Sequence, residues 1–509
     1  MNILDNRRIA KNTVLLYVRM LLSIVVTLYT SRVVLQTLGV DDFGIYGIVG
    51  GVVAMFSFLN ASMSGATSRY ITFSLGQGDS KKVIDTFSTA LIIHILIAAC
   101  IVLLSETIGL WFIEKKLVIP EGRMGATRIV YQCSIIAMTV QVLQVPYNAM
   151  IISYERMDIY AYIELLNVFL KLGIVYLLRI GSFDNLVVYA LLVLIVNIII
   201  ALAYRIYCKR YLNTCKFHFI LDKHLLMPML SFSGWDLYGN MCHTARQQGV
   251  NMLINMFFGV ALNAASSVAN SVQGVVSSLS ANVVQAFRPQ IIKLYAQNRI
   301  SEMELLMCNS IKFSVLLFAM VGVPLSYEVF PIMKLWLGQV PDYAPQFCVL
   351  LMATSLFNLI NSVIVIVIHA TGRIKSLSLI SGTIYLLTIP IVYFLFKYIT
   401  MDPIQAYIVF FVIMLVVVGV NIVIAKVQVS ELSVKRILYN LALAIFLASL
   451  ATPALLIANL FESTFVHIIL SFSSYILLLA VLVYMWGIDK DLKLKVNAYF
   501  HSKCKPILR

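Results

Sequence analysis

Three observations predict an all-α polytopic membrane protein with about 14 transmembrane helices. The chain contains about fourteen long apolar segments, and a bilayer core needs about 20 apolar residues per helix. Of its residues 61% are hydrophobic and only 12% charged, with a mean hydropathy of +0.92, far from a soluble domain. The connecting loops are short and alternate in charge. The segments run roughly 13–36, 43–65, 85–111, 129–152, 159–178, 187–208, 231–258, 262–287, 313–335, 345–369, 377–397, 404–425, 437–458 and 465–487. Almost nothing remains to build a soluble domain. Barrel strands would be about 10 residues of alternating polarity, so a β-barrel is no competitor.

The first segment, 13–36, is too long for a signal-peptide core and lacks a small-residue cleavage site. It reads as helix 1, with Arg19, Ser23, Thr27 and Thr30 on one side. Segment 4 adds Gln141, Gln144 and Asn148 beside Pro146. In segment 5, Glu164 and Lys171 lie seven apart, placed to pair through a bridging partner. Segment 7 carries the fullest polar stripe: Asp236, Asn240, His243, Gln247 and Asn251 fall on one helical face. Segment 8 repeats it with Ser266, Asn270, Gln273, Ser277 and Ser280. Ser and Thr positions of this kind read as interhelical glue. A five-residue stripe with an acid and a histidine reads as a hydrated cavity wall.

The net charge of +15 could point to nucleic acid, but its placement excludes that. With the amino terminus inside, the cytoplasmic segments hold 27 Lys and Arg and the external loops only 5. Both termini are then cytoplasmic and the helix count is even. The eight cysteines are scattered, with no Cys-x-x-Cys, and the seven histidines do not cluster. No metal site, cofactor or disulfide framework is implied. His94 and His369, in or at the ends of apolar runs, read as structural histidines.

The chain reads as duplicated. An offset of 220 sets Gly39-Val40 on Gly259-Val260 and pairs Val52 with Val272, Ser57 with Ser277, Leu59 with Leu279 and Ala61 with Ala281. One residue later, Arg69 falls on Arg288. The predicted organisation is an N-lobe over 1–208 (helices 1–6), a basic cytoplasmic linker over 209–230, a C-lobe over 231–426 (helices 7–12), then helices 13–14 and a basic tail over 427–509. Six helices per half make the repeats parallel.

Charged residues inside a membrane are expensive and therefore informative. Arg32, Lys334 and Lys397 lie near helix ends, where snorkelling rescues them. Arg19 and Arg246 lie deeper, and a functional role is the better reading. Arg69 and Arg288 end equivalent helices at the cytoplasmic face. Several arginines with few acids make an anion site, because guanidinium groups grip phosphate bidentately. A lipid diphosphate is the obvious cargo of that class.

Asn6-Arg7-Arg8-Ile9-Ala10-Lys11-Asn12-Thr13, Ser31-Arg32-Val33-Val34-Leu35-Gln36-Thr37-Leu38-Gly39 and Asp42-Phe43-Gly44-Ile45-Tyr46-Gly47 resemble the amino-terminal signature of Wzx-type polysaccharide flippases. Ala245-Arg246-Gln247-Gln248-Gly249-Val250-Asn251 and Ala286-Phe287-Arg288-Pro289-Gln290-Ile291 are similar to the matching region of the same family. These proteins share a superfamily with multidrug exporters and the peptidoglycan lipid flippase. The resemblance implies two six-helix lobes, alternating access, and transfer of an undecaprenyl-diphosphate-linked oligosaccharide from the cytoplasmic to the outer leaflet of a bacterial inner membrane, for O-antigen or capsule. Its cationic cavity residues carry over to Arg19, Arg69, Arg246 and Arg288. The coupling ion and the sugar specificity do not carry over; H+ or Na+ as coupling ion, a glycan polymerase and other assembly-pathway proteins are the candidate partners.

The substrate-binding residues expected are therefore Arg19, Arg69, Arg246, Arg288, Asp236, Asn240, His243, Gln247, Asn270 and Gln273. The resting state is expected to open to the cytoplasm, with Arg69 and Arg288 flanking the entrance. A multidrug or cation antiporter on the same fold is one alternative, although arginines rather than acids in the cavity count against it. A membrane-embedded polysaccharide polymerase or ligase is another. Against it, the longest external connection is about 112–128, and no carboxylate pair or nucleophile constellation appears.

Overall fold

The computed structural model describes residues 57–487 apart from 116–118, 120–121, 179–183, 220–221, 259, 338–339, 400–401 and 461–463. It also describes 18–23, 25–26, 29–30, 33–34, 36–39, 42, 45–46, 49, 53 and 493. The stretch 6–13 and residues Thr27 and Arg32 lie outside the described residues, as do the side chains of Ser57, Leu59, Ala61 and Ser280. No strand occurs among the described residues.

The helices are α1 (Ser57–Gly76), α2 (Ser80–Leu104), α3 (Met124–Ser153), α4 (Met157–Leu177), α5 (Asn185–Tyr211), α6 (Lys223–Phe258), α7 (Val260–Ala296), α8 (Ile300–Tyr327), α9 (Val329–Leu337), α10 (Ala344–Thr371), α11 (Gly382–Phe394), α12 (Ile404–Gln428), α13 (Val434–Leu450) and α14 (Thr464–Leu482). Ten spans among the described residues are long and apolar enough to cross a membrane. The ten omit α1, α6, α7 and the nine-residue α9. Two of these carry the polar stripes of segments 7 and 8, which dilute their hydropathy.

Where boundaries differ from the sequence reading, backbone chemistry explains it. Segment 9 is two helices, α8 and α9, divided at Glu328 four residues after Pro324. Segment 13 ends as a helix at Leu450 and continues as a 3-10 stretch over Thr452–Leu460, entered through Pro453. α6 begins at Lys223, inside the predicted linker. Asp222 initiates it by accepting from the His224 amide.

The chain divides into two compact units. The first comprises Met1–Met241, Gln285–Arg299 and Ile368–Leu379; the second Cys242–Val284, Ile300–Val367 and Ile380–Arg509. α6, α7 and α10 each contribute to both units.

The first unit's core is built by α2, α3 and α5 around the buried Phe87, Tyr131 and Tyr204. Burying a phenol requires a partner for its hydroxyl. Tyr131 donates to the Ser105 carbonyl at 2.6 Å, and Tyr204 to Glu164 at 2.9 Å. Glu164 thus bonds to Tyr204, and no ion pair joins it to Lys171 among the described residues. His94 is buried, its Nδ1 2.8 Å from the Ala90 carbonyl.

The second unit's core gathers Phe347, Val392, Phe396 and Tyr407. α13 and α14 pack on α8. The attachment is polar near both ends of α8. Glu304 lies 3.7 Å from Arg436 and accepts from the Ser433 amide at 3.2 Å. Beyond its other end, buried Glu328 accepts from Ser471 and lies 3.0 Å from His467.

Candidate functional site

The second unit holds a polar pocket of about 70 Å³. α6 supplies His243, Arg246, Gln247 and Asn251, and α7 supplies Asn270 and Gln273. Helical periodicity puts each set on one face. α10 adds Leu351, Thr354, Ser355 and Asn358, and α12 adds Tyr407, Phe410 and Met414. Among the described residues no acid lines the pocket.

A hydrogen-bonded wall holds these groups. Ser266 donates to Asn251 at 3.2 Å and accepts from Tyr407 at 2.7 Å and Asn270 at 3.3 Å. Gln273 donates to Ser355 at 2.7 Å. The volume suits about five waters at roughly 10–15 Å³ each, not a glycan, so cargo entry requires the pocket to widen.

Arg246 is the distinctive group. It is only 7% exposed. Its guanidinium carbon lies 4.5 Å from the Tyr385 ring centre and 4.8 Å from that of Phe410. The two rings fix the guanidinium plane and offset part of its desolvation. Nη2 is 3.4 Å from His243 Nε2, while buried Nε and Nη1 have no hydrogen-bond partner among the described residues. A buried donor left unsatisfied costs about 1–3 kcal/mol, more when charged. An anion that accepted from both would relieve that cost with bidentate geometry.

The remaining predicted site residues lie in the first unit. Asp236 accepts from Asn240 at 3.2 Å and lies 3.8 Å from His369. A Cβ on Gly65 would lie 3.5 Å from Asp236 Oδ2 and 3.9 Å from Arg288 Nη2, so acid and guanidinium share one glycine-made space. Arg69 is buried, donating to the backbone carbonyls of His369 at 3.1 Å and Ala370 at 2.8 Å. Its guanidinium is engaged with the end of α10, and the residue also lines an open cleft with Tyr70, Lys82 and His224. Arg19 donates to the Tyr160 hydroxyl at 3.2 Å, over the same ring.

The polar stripe of α6 is therefore divided, with Asp236 and Asn240 in one unit and His243, Gln247 and Asn251 in the other. The sequence reading missed Thr354, Ser355 and Asn358. They repeat along α10 as the α6 stripe does, so the same test would have found them. Tyr385 and Phe410 carried no such signal.

No family model matches the sequence, and no curated protein matches it. Solved structures do. A MATE protein in the bent conformation superposes with a TM-score of 0.73 over 84% of this chain and 96% of its own, at 14% identity. This is the MATE transporter fold. An outward-facing multidrug resistance MATE family transporter of the MOP superfamily gives 0.68 over 84% and 96%, at 14% identity. A MOP superfamily transporter from Pyrococcus furiosus, whose reverse pocket polarity suggests a different function, gives 0.66 over 82% and 96%, at 15% identity. The chain is a multi-pass membrane protein on the MATE fold. At these identities the likeness concerns fold alone.

Proposed function

We propose that the chain is a flippase for an anionic lipid-linked oligosaccharide, with its diphosphate held at Arg246. The carrying observation is the buried, ring-clamped guanidinium, two of whose nitrogens have no partner, in a pocket without an acid, among the described residues. The amide and hydroxyl lining fits sugar hydroxyls: Gln247, Asn270 and Asn358 supply both donors and acceptors. A permanent cation opposes a cationic drug in the same place. The reading includes undecaprenyl diphosphate as the lipid, a bacterial inner membrane with both termini cytoplasmic, two six-helix lobes, and delivery to a glycan polymerase.

One observation favours a cation-coupled multidrug antiporter instead. Asp236 is a carboxylate in segment 7, 3.8 Å from His369 and sharing the space at Gly65 with Arg288, and a carboxylate in an apolar segment is the kind of group an H+ or Na+ coupling site uses. The multidrug resistance relative on this fold supports the same reading.

The test is reconstitution into proteoliposomes, scoring outward movement of lipid-linked oligosaccharide and of ethidium separately. Glycan transport is expected from the wild type, with Arg246→Ala reducing it at least tenfold, on the order of 1.4 kcal/mol or more. Arg246→Lys restores it only in part, lacking the fork. Ethidium transport without glycan transport would establish the antiporter.

A further inference from the structure

We propose that an exposed groove formed by α2, α3 and α5 binds an anionic glycerophospholipid, with its phosphate on Arg205 and an acyl chain along the groove. The groove encloses about 370 Å³ within the first unit and is separate from the Arg246 pocket.

Its chemistry is graded along its length. Gln141 donates to Asn197 at 2.9 Å, and the Cys208 thiol to the Tyr147 carbonyl at 3.4 Å. α3 and α5 therefore run parallel. The Phe87 and Tyr147 rings lie 5.3 Å apart, and Tyr131 bonds to Ser105, so α2 runs antiparallel to both. Gln144, Tyr147 and Arg205 consequently collect at one end of the groove, and Ile95, Val140 and Ile198 at the other. From Ile198 to Arg205 is two helical turns, about 10 Å.

Ile95, Ile198 and Leu202 are exposed, which in a membrane-spanning unit places them against lipid. No acid pairs with Arg205 among the described residues. One turn further on, Lys209 and Arg210 are exposed, adding positive potential at the same end. An apolar trough closed by an amide, a phenol and an unpaired cation complements a lipid with one negative phosphate at its head. Among the described residues that line the groove Arg205 is the one cation, matching the one charge of a phosphodiester, while Lys209 and Arg210 lie a turn beyond the lining.

The test uses full-length protein in phosphatidylcholine nanodiscs doped with phosphatidylglycerol or phosphatidylcholine bearing the same diazirine-labelled chain. After irradiation, labelled peptides are mapped by mass spectrometry. Phosphatidylglycerol should label 91–95, 140–147 and 198–205 about fivefold more than phosphatidylcholine, the preference one cation supplies. Arg205→Gln should abolish that preference and Arg205→Lys keep it. Leu202→Trp, which fills the trough, should remove labelling by both lipids. All variants are compared as monodisperse protein. Equal labelling by the two lipids would overturn the proposal, as would a preference that survives Arg205→Gln or labelling that survives Leu202→Trp.

Discussion

Arg69 Nη2 donates to the carbonyl of Ala370 across 301 residues of sequence, at 2.8 Å. The acceptor lies in the last turn of α10, where carbonyls lack intrahelical partners and the helix dipole is negative. Gly372, at φ +78°, ends that helix in the left-handed region. A Cβ there would come within 2.8 Å of Arg69 Nη2. Gly372→Ala therefore meets backbone strain and a displaced arginine together. It should destabilise the protein by more than about 1 kcal/mol, read as a lowered melting temperature in detergent. Arg69→Lys should lower it too, because one ammonium cannot reproduce the two-carbonyl clamp. An unchanged melting temperature in both variants would remove the clamp from the account.

Gly76 makes a tighter approach. A Cβ there would sit 2.7 Å from Ala296 Cβ and 3.0 Å from the Lys293 carbonyl. The nearby Lys293 is held independently, 2.6 Å from Glu155. Gly76→Ala should destabilise by about 1–3 kcal/mol through overpacking. Ala296→Gly should recover part of that loss, since it removes the first colliding atom. The double-mutant cycle measures the coupling, and strictly additive effects would show that the two helices do not touch there.

Ser266 joins three groups of the Arg246 pocket wall, namely Asn251, Asn270 and Tyr407. Ser266→Ala leaves the buried Tyr407 hydroxyl without its acceptor and should destabilise by about 1–3 kcal/mol. Adding Tyr407→Phe removes the stranded hydroxyl and should return much of the loss. If the double variant is no more stable than Ser266→Ala, the phenol is satisfied elsewhere.

Some features were legible in sequence because one physical rule suffices for them. The long apolar runs mark membrane helices because a bilayer accepts little else. His243, Arg246, Gln247, Asn270 and Gln273 share a pocket because each helix repeats its face every 3.6 residues. Partnerships across long separations were not legible. Nothing local to Arg69 says that it will meet Ala370, and nothing near Tyr385 or Phe410 says that they will enclose Arg246. The division of the α6 stripe was hidden for the same reason. Asp236 and His243 share a helical face, but which neighbours each meets is decided by chain more than a hundred residues away, His369 for one and Tyr385 for the other.

Arg123 joins two acids distant in sequence, donating to Asp42 from Nε at 2.9 Å and to Asp184 from Nη1 at 2.6 Å. It thereby ties Asp42 and the residue that precedes α5 to the start of α3. Hydrogen bonding from Arg123, opposed by partial burial, holds the Asp184 carboxyl below its usual range. A carboxylate depressed in the folded state contributes stability above its unfolded pKa, about 3.9. That contribution is lost as pH falls through the lower folded value. Both groups are partly exposed, so the effect is modest and weakens with salt. Acidification from about pH 5 to about pH 3 should therefore lower the melting temperature of the wild type more than that of Asp184→Asn. Asparagine is the suitable control because it still caps α5, where Asp184 accepts from the Leu186 amide at 3.0 Å. The variant should be the less stable of the two at neutral pH, and the gap should narrow in acid. A constant gap across that range would show that the Arg123 bridge does not carry the pH dependence.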